Sequence, residues 1–143
     1  MVNALRKIYF RVLLPPVVGL GLCYAVNKTE LISLSRGSVQ HFTERLIFIA
    51  SSICAIALPI FLRAWFAHKV RDQKSVSRDA LFCFERRLIC VSLAALYFLM
   101  PACLLEISSF YFGGTILVSL YAAYYFFPSE KRIRFERRMF RVP

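Results

Sequence analysis

The sequence predicts an all-α integral membrane protein, a four-helix bundle with N-in/C-in topology and a tight hairpin between its third and fourth helices. Three observations lead there. The first is composition: 59% of the 143 residues are hydrophobic, 15% are aromatic, and the mean hydropathy is +0.59. With Gly counted in and Tyr left out, the apolar share is about 57%, above the roughly 45–50% of ordinary soluble domains. The second is spacing: uncharged runs at 12–27, 46–62, 88–105 and 107–129 cover about half the chain. The third is charge, with 19 basic and 8 acidic side chains giving a net +11. High apolarity and a high basic count conflict in a small soluble fold and agree in a membrane protein, where basic loops orient the spans. The aromatic content excludes disorder, and residues 1–143 are expected to form a single multi-pass domain.

The first expected span is 8–26, in which Ile8, Tyr9 and Phe10 extend the apolar run backwards past Arg11. A crossing helix needs about 20 apolar residues at 1.5 Å each. A basic start, an apolar stretch and the small residues Cys23 and Ala25 also describe a cleavable signal peptide. Pro15 and Pro16 early in the stretch, and Leu22 before Cys23, oppose that reading, so a retained helix is expected. The second span, 46–67, runs past Arg63 through Ala64, Trp65, Phe66 and Ala67, with the guanidinium snorkelling to the nearer surface. The third and fourth spans are 86–105 and 109–127. From 88 to 129 only Glu106 is charged, and one straight helix of that length would measure about 63 Å, twice the membrane thickness. It must fold back, and Glu106, Ser108 and Ser109 supply the polar turn.

Helix ends carry local signals. Ser38 is a candidate N-cap ahead of Val39, Phe42 and Leu46, and Ser77 caps the third helix with Asp79 in its first turn. Leu81, Phe84 and Leu88 then share one face, while Arg78, Glu85 and Arg86 are expected to stay wet. Pro15, Pro16, Pro59 and Pro101 lie inside spans and are read as packing kinks. Gly19, Gly21, Gly113 and Gly114 permit close helix approach.

Basic residues set the expected orientation. Sixteen of them, including Arg63 and those of the start, the 69–87 loop and the tail, fall on one side; Lys28, Arg36 and Arg45 fall on the other. The positive-inside bias puts both termini in the cytoplasm, with Trp65, Phe66, Tyr121, Tyr124, Tyr125, Phe126 and Phe127 as aromatic belts. The basic juxtamembrane tail, 128–143, is expected to contact anionic lipid through Lys131, Arg132, Arg134, Arg137, Arg138 and Arg141. Tethering accounts for the basic charge without a nucleic-acid partner.

Chemistry is sparse. Cys23, Cys54, Cys83, Cys90 and Cys103 form no CxxC pattern and are read as free thiols, with Cys83 placed where S-acylation would act. His41 and His68 flank the second span about 40 Å apart, so they share neither a metal nor a haem. His41, Glu44 and Arg45, together with Glu30 and Glu106, are the least implausible outer catalytic group, but no known signature orders them and solvated helix-end charges are the expected reading of the same residues. Asn27-Lys28-Thr29 matches a glycosylation acceptor too close to the membrane for use. Ser51, Ser52, Ser92, Thr115 and Ser119 would line a pore only in an oligomer, and hydroxyls bonded back to their own helix are the plainer expectation.

The expectation is therefore a non-enzymatic accessory, assembly or anchoring subunit, with neither cofactor nor metal and with no catalytic residue assigned. Its partners are an anionic bilayer and another membrane protein or a second copy, and its setting is a bacterial inner (plasma) membrane. An oligomeric channel or small-solute permease is the alternative, and an enzyme acting on lipid or envelope precursors at the outer face is the second.

Overall fold

A computed structural model describes residues 2–28, 40–71, 76–105 and 107–140, all helix and short connections with no strand among them. The helices are α1 (Val2–Lys28), α2 (Gln40–Ser52), α3 (Leu58–Val70), α4 (Arg78–Tyr97), α5 (Leu99–Leu104), α6 (Ser109–Tyr125) and α7 (Glu130–Met139), with a π-helical turn, Ile53–Ala57, joining α2 to α3. Three continuous units are long and apolar enough to cross a membrane: Val2–Val26, Phe42–Val70 and Arg78–Leu104. Helices α6 and α7, bent by 72° at their junction, make a fourth if taken together. Expected positions that fall on Glu30, Ser38, Val39, Glu106 and Arg141 lie outside the described residues.

α4 is the centre. Leu81, Phe84, Leu88, Ile89, Leu93, Ala95 and Leu96 are all buried, on faces that meet α1, the α2–α3 unit and α6. The expected start holds: Ser77 has extended backbone, its Oγ accepts from the Ala80 N–H at 3.2 Å, and Asp79 sits in the first turn. α1 lays Leu5, Tyr9, Pro16, Gly19 and Cys23 against the core at helical spacing, leaving Phe10, Leu14, Val18 and Leu22 outward. Gly114 brings α6 close to α2, since a Cβ there would lie 2.8 Å from the Phe48 ring, and Gly19 makes room for Met100. Gly21 and Gly113 face open space.

The prolines show how the fold manages lost hydrogen bonds. Each ring removes the donor that would reach the carbonyl four residues back. Pro16 frees the Val12 carbonyl, and the Tyr97 hydroxyl of α4 donates to it at 3.2 Å. Pro59 sits just after the π-turn, where the ladder is already widened and the Leu58 N–H reaches back to the Ile53 carbonyl. Ahead of Pro101 the helix breaks at Phe98, between α4 and α5. There the Ala95 carbonyl accepts from Ser51 Oγ at 3.4 Å and Ser119 Oγ at 3.2 Å, so hydroxyls of two neighbouring helices meet on one α4 carbonyl. Ser52, Ser92 and Thr115 bond back to the carbonyls of Phe48, Leu88 and Tyr111, each at 2.8 Å.

The start of α1, the end of α3, the start of α4 and all of α7 gather at one end, here called the tail end. Phe66 and Phe84 stack there with ring centroids 4.1 Å apart, and Phe140 stands edge-on to Phe66 at 5.1 Å. α1 closes the C-terminus of α6: Tyr9 Oη donates to the Ala123 carbonyl at 2.7 Å and Arg6 Nε to the Pro128 carbonyl at 3.4 Å. Two of the expected belt aromatics are therefore core residues: Phe66 and Phe126 are buried, whereas Trp65, Tyr121, Tyr124, Tyr125 and Phe127 are exposed.

Candidate functional site, a buried arginine and glutamate cluster beneath the tail helix

Ser129 starts α7 as an N-cap, its Oγ accepting from the Arg132 N–H at 3.2 Å, and Glu130 occupies the first turn. From that start, helical spacing turns Ile133, Glu136 and Phe140 inward, with Arg132 alongside them. Ile133 joins the α1–α4 core and Phe140 the Phe66–Phe84 stack. Lys131, Arg134, Phe135, Arg138 and Met139 stay exposed on the outer side.

Glu136 is thus carried under the helix into contact with α3, where its Oε1 accepts from Arg63 Nη2. On the same helix Arg132 Nε lies 3.8 Å from that oxygen, and Arg132 Nη2 donates to Glu85 Oε2 of α4 at 2.9 Å. Four charges from three helices so form one chain of contacts: Arg63, Glu136, Arg132, Glu85. Glu85 is fully buried and Glu136 is 1% exposed. The guanidiniums rest on aromatic faces, Arg132 Cζ at 5.3 Å from the Phe126 ring centre and Arg63 Cζ at 5.9 Å from that of Tyr125. Arg63 Nη1 also reaches the Tyr125 hydroxyl at 3.5 Å. A concavity of about 200 Å³ adjoins the pairs, lined by Arg63, Tyr125, Arg132, Phe135, Glu136 and Met139.

This arrangement corrects the sequence reading of two residues. Glu85 does not stay wet, because Arg132 draws it inward from another helix. Arg63 does not simply snorkel, because Glu136 comes down to meet it. Leu81, Phe84 and Leu88 do share a buried face, and Arg78 and Arg86 are exposed, as expected. Of the tail residues expected on lipid, Lys131, Arg134 and Arg138 face outward, Arg132 is held by Glu85, Arg137 is half-buried, and Arg141 is outside the described residues. The sequence did hold a signal for the cluster. Glu136 is an acidic residue in a basic segment, and it stands three residues after Ile133 and four before Phe140, on an inward stripe.

Two arginines and two glutamates give the cluster a formal charge of zero. Breaking one member of such a pair leaves an uncompensated buried charge, costing about 3–5 kcal/mol. Its role in this geometry is to clamp α7 across α3 and α4.

At the opposite end, here called the hairpin end, Glu44 of α2 is buried and its Oε1 accepts from the Ser108 N–H at 3.1 Å, at the first turn of α6. A carboxylate there satisfies an N-terminal donor and complements the helix dipole. Arg45 beside it is exposed, the side chain of His41 is not described, and Glu30 and Glu106 lie outside the described residues. The five cysteines are free: Cys83 is exposed, Cys23 is buried, and Cys54, Cys90 and Cys103 are half-buried. No group of three or more His, Cys, Asp or Glu side chains among the described residues is placed to hold a metal ion.

No protein-family model, no curated protein and no solved structure matches this chain.

Proposed function

We propose that the protein is a four-span membrane component with both termini in the cytoplasm, working as a non-enzymatic accessory, assembly or anchoring subunit of a membrane complex. One observation carries this reading: the buried hydroxyls of the helical units are hydrogen-bonded within the fold, and the outer faces of the helices are chiefly apolar, with basic side chains gathered at one end. Ser51, Ser92, Thr115 and Ser119 are fully buried and hydrogen-bonded within the fold. The outer faces carry Phe10, Leu14 and Leu22 on α1, Ile49, Ile60 and Phe61 on the α2–α3 unit, and Leu117 and Leu120 on α6. An apolar surface of this extent suits lipid tails and helix–helix contacts rather than water.

The orientation is supported by the gathering of basic side chains at the tail end, where Lys7, Lys69, Arg86, Arg87, Lys131, Arg134 and Arg138 are exposed. With α7 folded under the spans, the outward Lys131, Arg134 and Arg138, interleaved with Phe135 and Met139, form a surface suited to anionic headgroups and the upper acyl region.

Reporter fusions after Val26, His68, Ser109 and Pro143 test the topology; cytoplasmic signals at His68 and Pro143 with external ones at Val26 and Ser109 are expected. Purification in mild detergent tests the subunit role, for which a reproducible membrane-protein partner is expected. A chain that purifies alone from native membranes contradicts it.

A further inference from the structure

A second concavity, of about 250 Å³, lies between the end of α3 and the start of α4 and shares no lining residue with the one beside the cluster. Its floor is the Phe66–Phe84 stack. Leu62, Trp65 and Val76 add apolar wall, and two exposed cations, Lys69 and Arg87, stand on it from opposite helices. Lys69 Nζ is 5.6 Å from the Trp65 ring centre, and among the described residues no carboxylate pairs with either cation. An apolar floor with a cation on each flanking helix selects an amphiphile whose head is anionic. The volume is below the roughly 300–1,000 Å³ that encloses a whole small molecule, so part of the occupant remains outside. An apolar track leads out along α3 from Lys69 through Trp65, Leu62 and Leu58, at spacings of three and four on one helical face.

We propose that this groove holds one anionic phospholipid, its phosphate between Lys69 and Arg87, its glycerol region against Trp65 and Phe84, and an acyl chain along Leu62 and Leu58. It is a discrete site, separate from the general headgroup contact of the tail. Trp65 sets the depth, since Trp favours the interface where lipid phosphates lie.

The proposal rests on the membrane reading above, so its test is built to separate the two. The full chain is prepared in mild detergent with phosphatidylglycerol or with phosphatidylcholine, and bound lipid is measured by native mass spectrometry. Phosphatidylglycerol is expected to be retained in preference. The paired substitution Lys69→Gln/Arg87→Gln is expected to lower its apparent affinity about 30-fold, each cation near an anionic head contributing about fivefold. Lys131→Gln/Arg134→Gln/Arg138→Gln is expected to leave it unchanged.

Cys83, the exposed thiol, lines the same groove, so phosphatidylglycerol should slow its alkylation while phosphatidylcholine and free glycerol phosphate should not. Equal retention of the two lipids, undiminished binding in the Lys69/Arg87 variant, or equal protection of Cys83 by glycerol phosphate overturns the lipid site. A chain that stays in aqueous buffer without detergent overturns the membrane reading itself.

Discussion

The two ends of the molecule solve the same problem with different amounts of charge. At the hairpin end the carboxylate of Glu44 accepts from the backbone N–H of Ser108 and so ties α2 to the start of α6. At the tail end Arg63, Glu85, Arg132 and Glu136 tie α7 to α3 and α4. The difference follows from what each end must hold. The hairpin is a short connection whose helices already pack against their neighbours along their length, so the bond from Ser108 to Glu44 adds to a contact that apolar packing has made. α7 leaves the line of α6 at 72°, and its ten residues carry one inward apolar side chain, Ile133, joined by Phe140 just past its end. Its exposed side is strongly basic, so hydrophobic burial alone gives it little purchase, and the inward ion pairs supply the rest.

The largest effect expected from this contrast is at the tail. Glu136→Ala takes the carboxylate from the half-buried Arg63 and leaves Arg132 with Glu85 alone, and a loss of about 3 kcal/mol is expected, read as a lower unfolding midpoint in detergent and as faster proteolysis within 128–140. Glu85→Leu combined with Arg132→Met removes charge from both sides and should cost less than Glu85→Leu alone, because neither substitution then strands a charge. If the double variant is the worse of the two, the pair is not a unit.

A smaller effect is expected at the hairpin. Glu44→Ala should cost about 1.5–3 kcal/mol, the range for a hydrogen bond to a charged group, and hydrogen exchange should rise at the start of α6 while the tail stays protected. Loosening of both ends together would erase the distinction between them. The smallest effects lie in the middle. Ser51→Ala and Ser119→Ala should each cost about 0.6 kcal/mol, the average for interhelical hydrogen bonds between membrane helices. Together they should cost about the sum of the singles, since the Ala95 carbonyl also accepts from the Phe98 N–H at 3.3 Å and so keeps a donor in every variant.

The same contrast explains which parts were legible in the sequence. The Ser77 cap, the start of α4 at Arg78 and the buried trio Leu81, Phe84 and Leu88 follow from local spacing, and each is found where the pattern puts it. The fold-back near Ser108 follows from length. The partner of Glu44 does not, because Ser108 offers a backbone N–H that belongs to another helix 64 residues away. Likewise Glu85 looks solvated when only its own helix is considered, and its burial depends on Arg132, 47 residues later. Proline positions indicate where helices deviate, yet the remedy differs each time: a Tyr97 hydroxyl for Val12, a π-turn before Pro59, a break at Phe98 ahead of Pro101. Those choices are made by neighbours in space, which periodicity along one helix does not contain.

The central claim is that α7 is clamped against α3 and α4 by charge pairing around the buried Glu85 and Glu136. Its most direct test is the coupling energy between Arg63 and Glu136, from unfolding of the parent, Arg63→Met, Glu136→Leu and the double variant in one detergent. A coupling of about 2 kcal/mol is expected for a buried carboxylate in direct contact with a half-buried guanidinium. Additive losses, with a coupling near zero, would contradict the clamp.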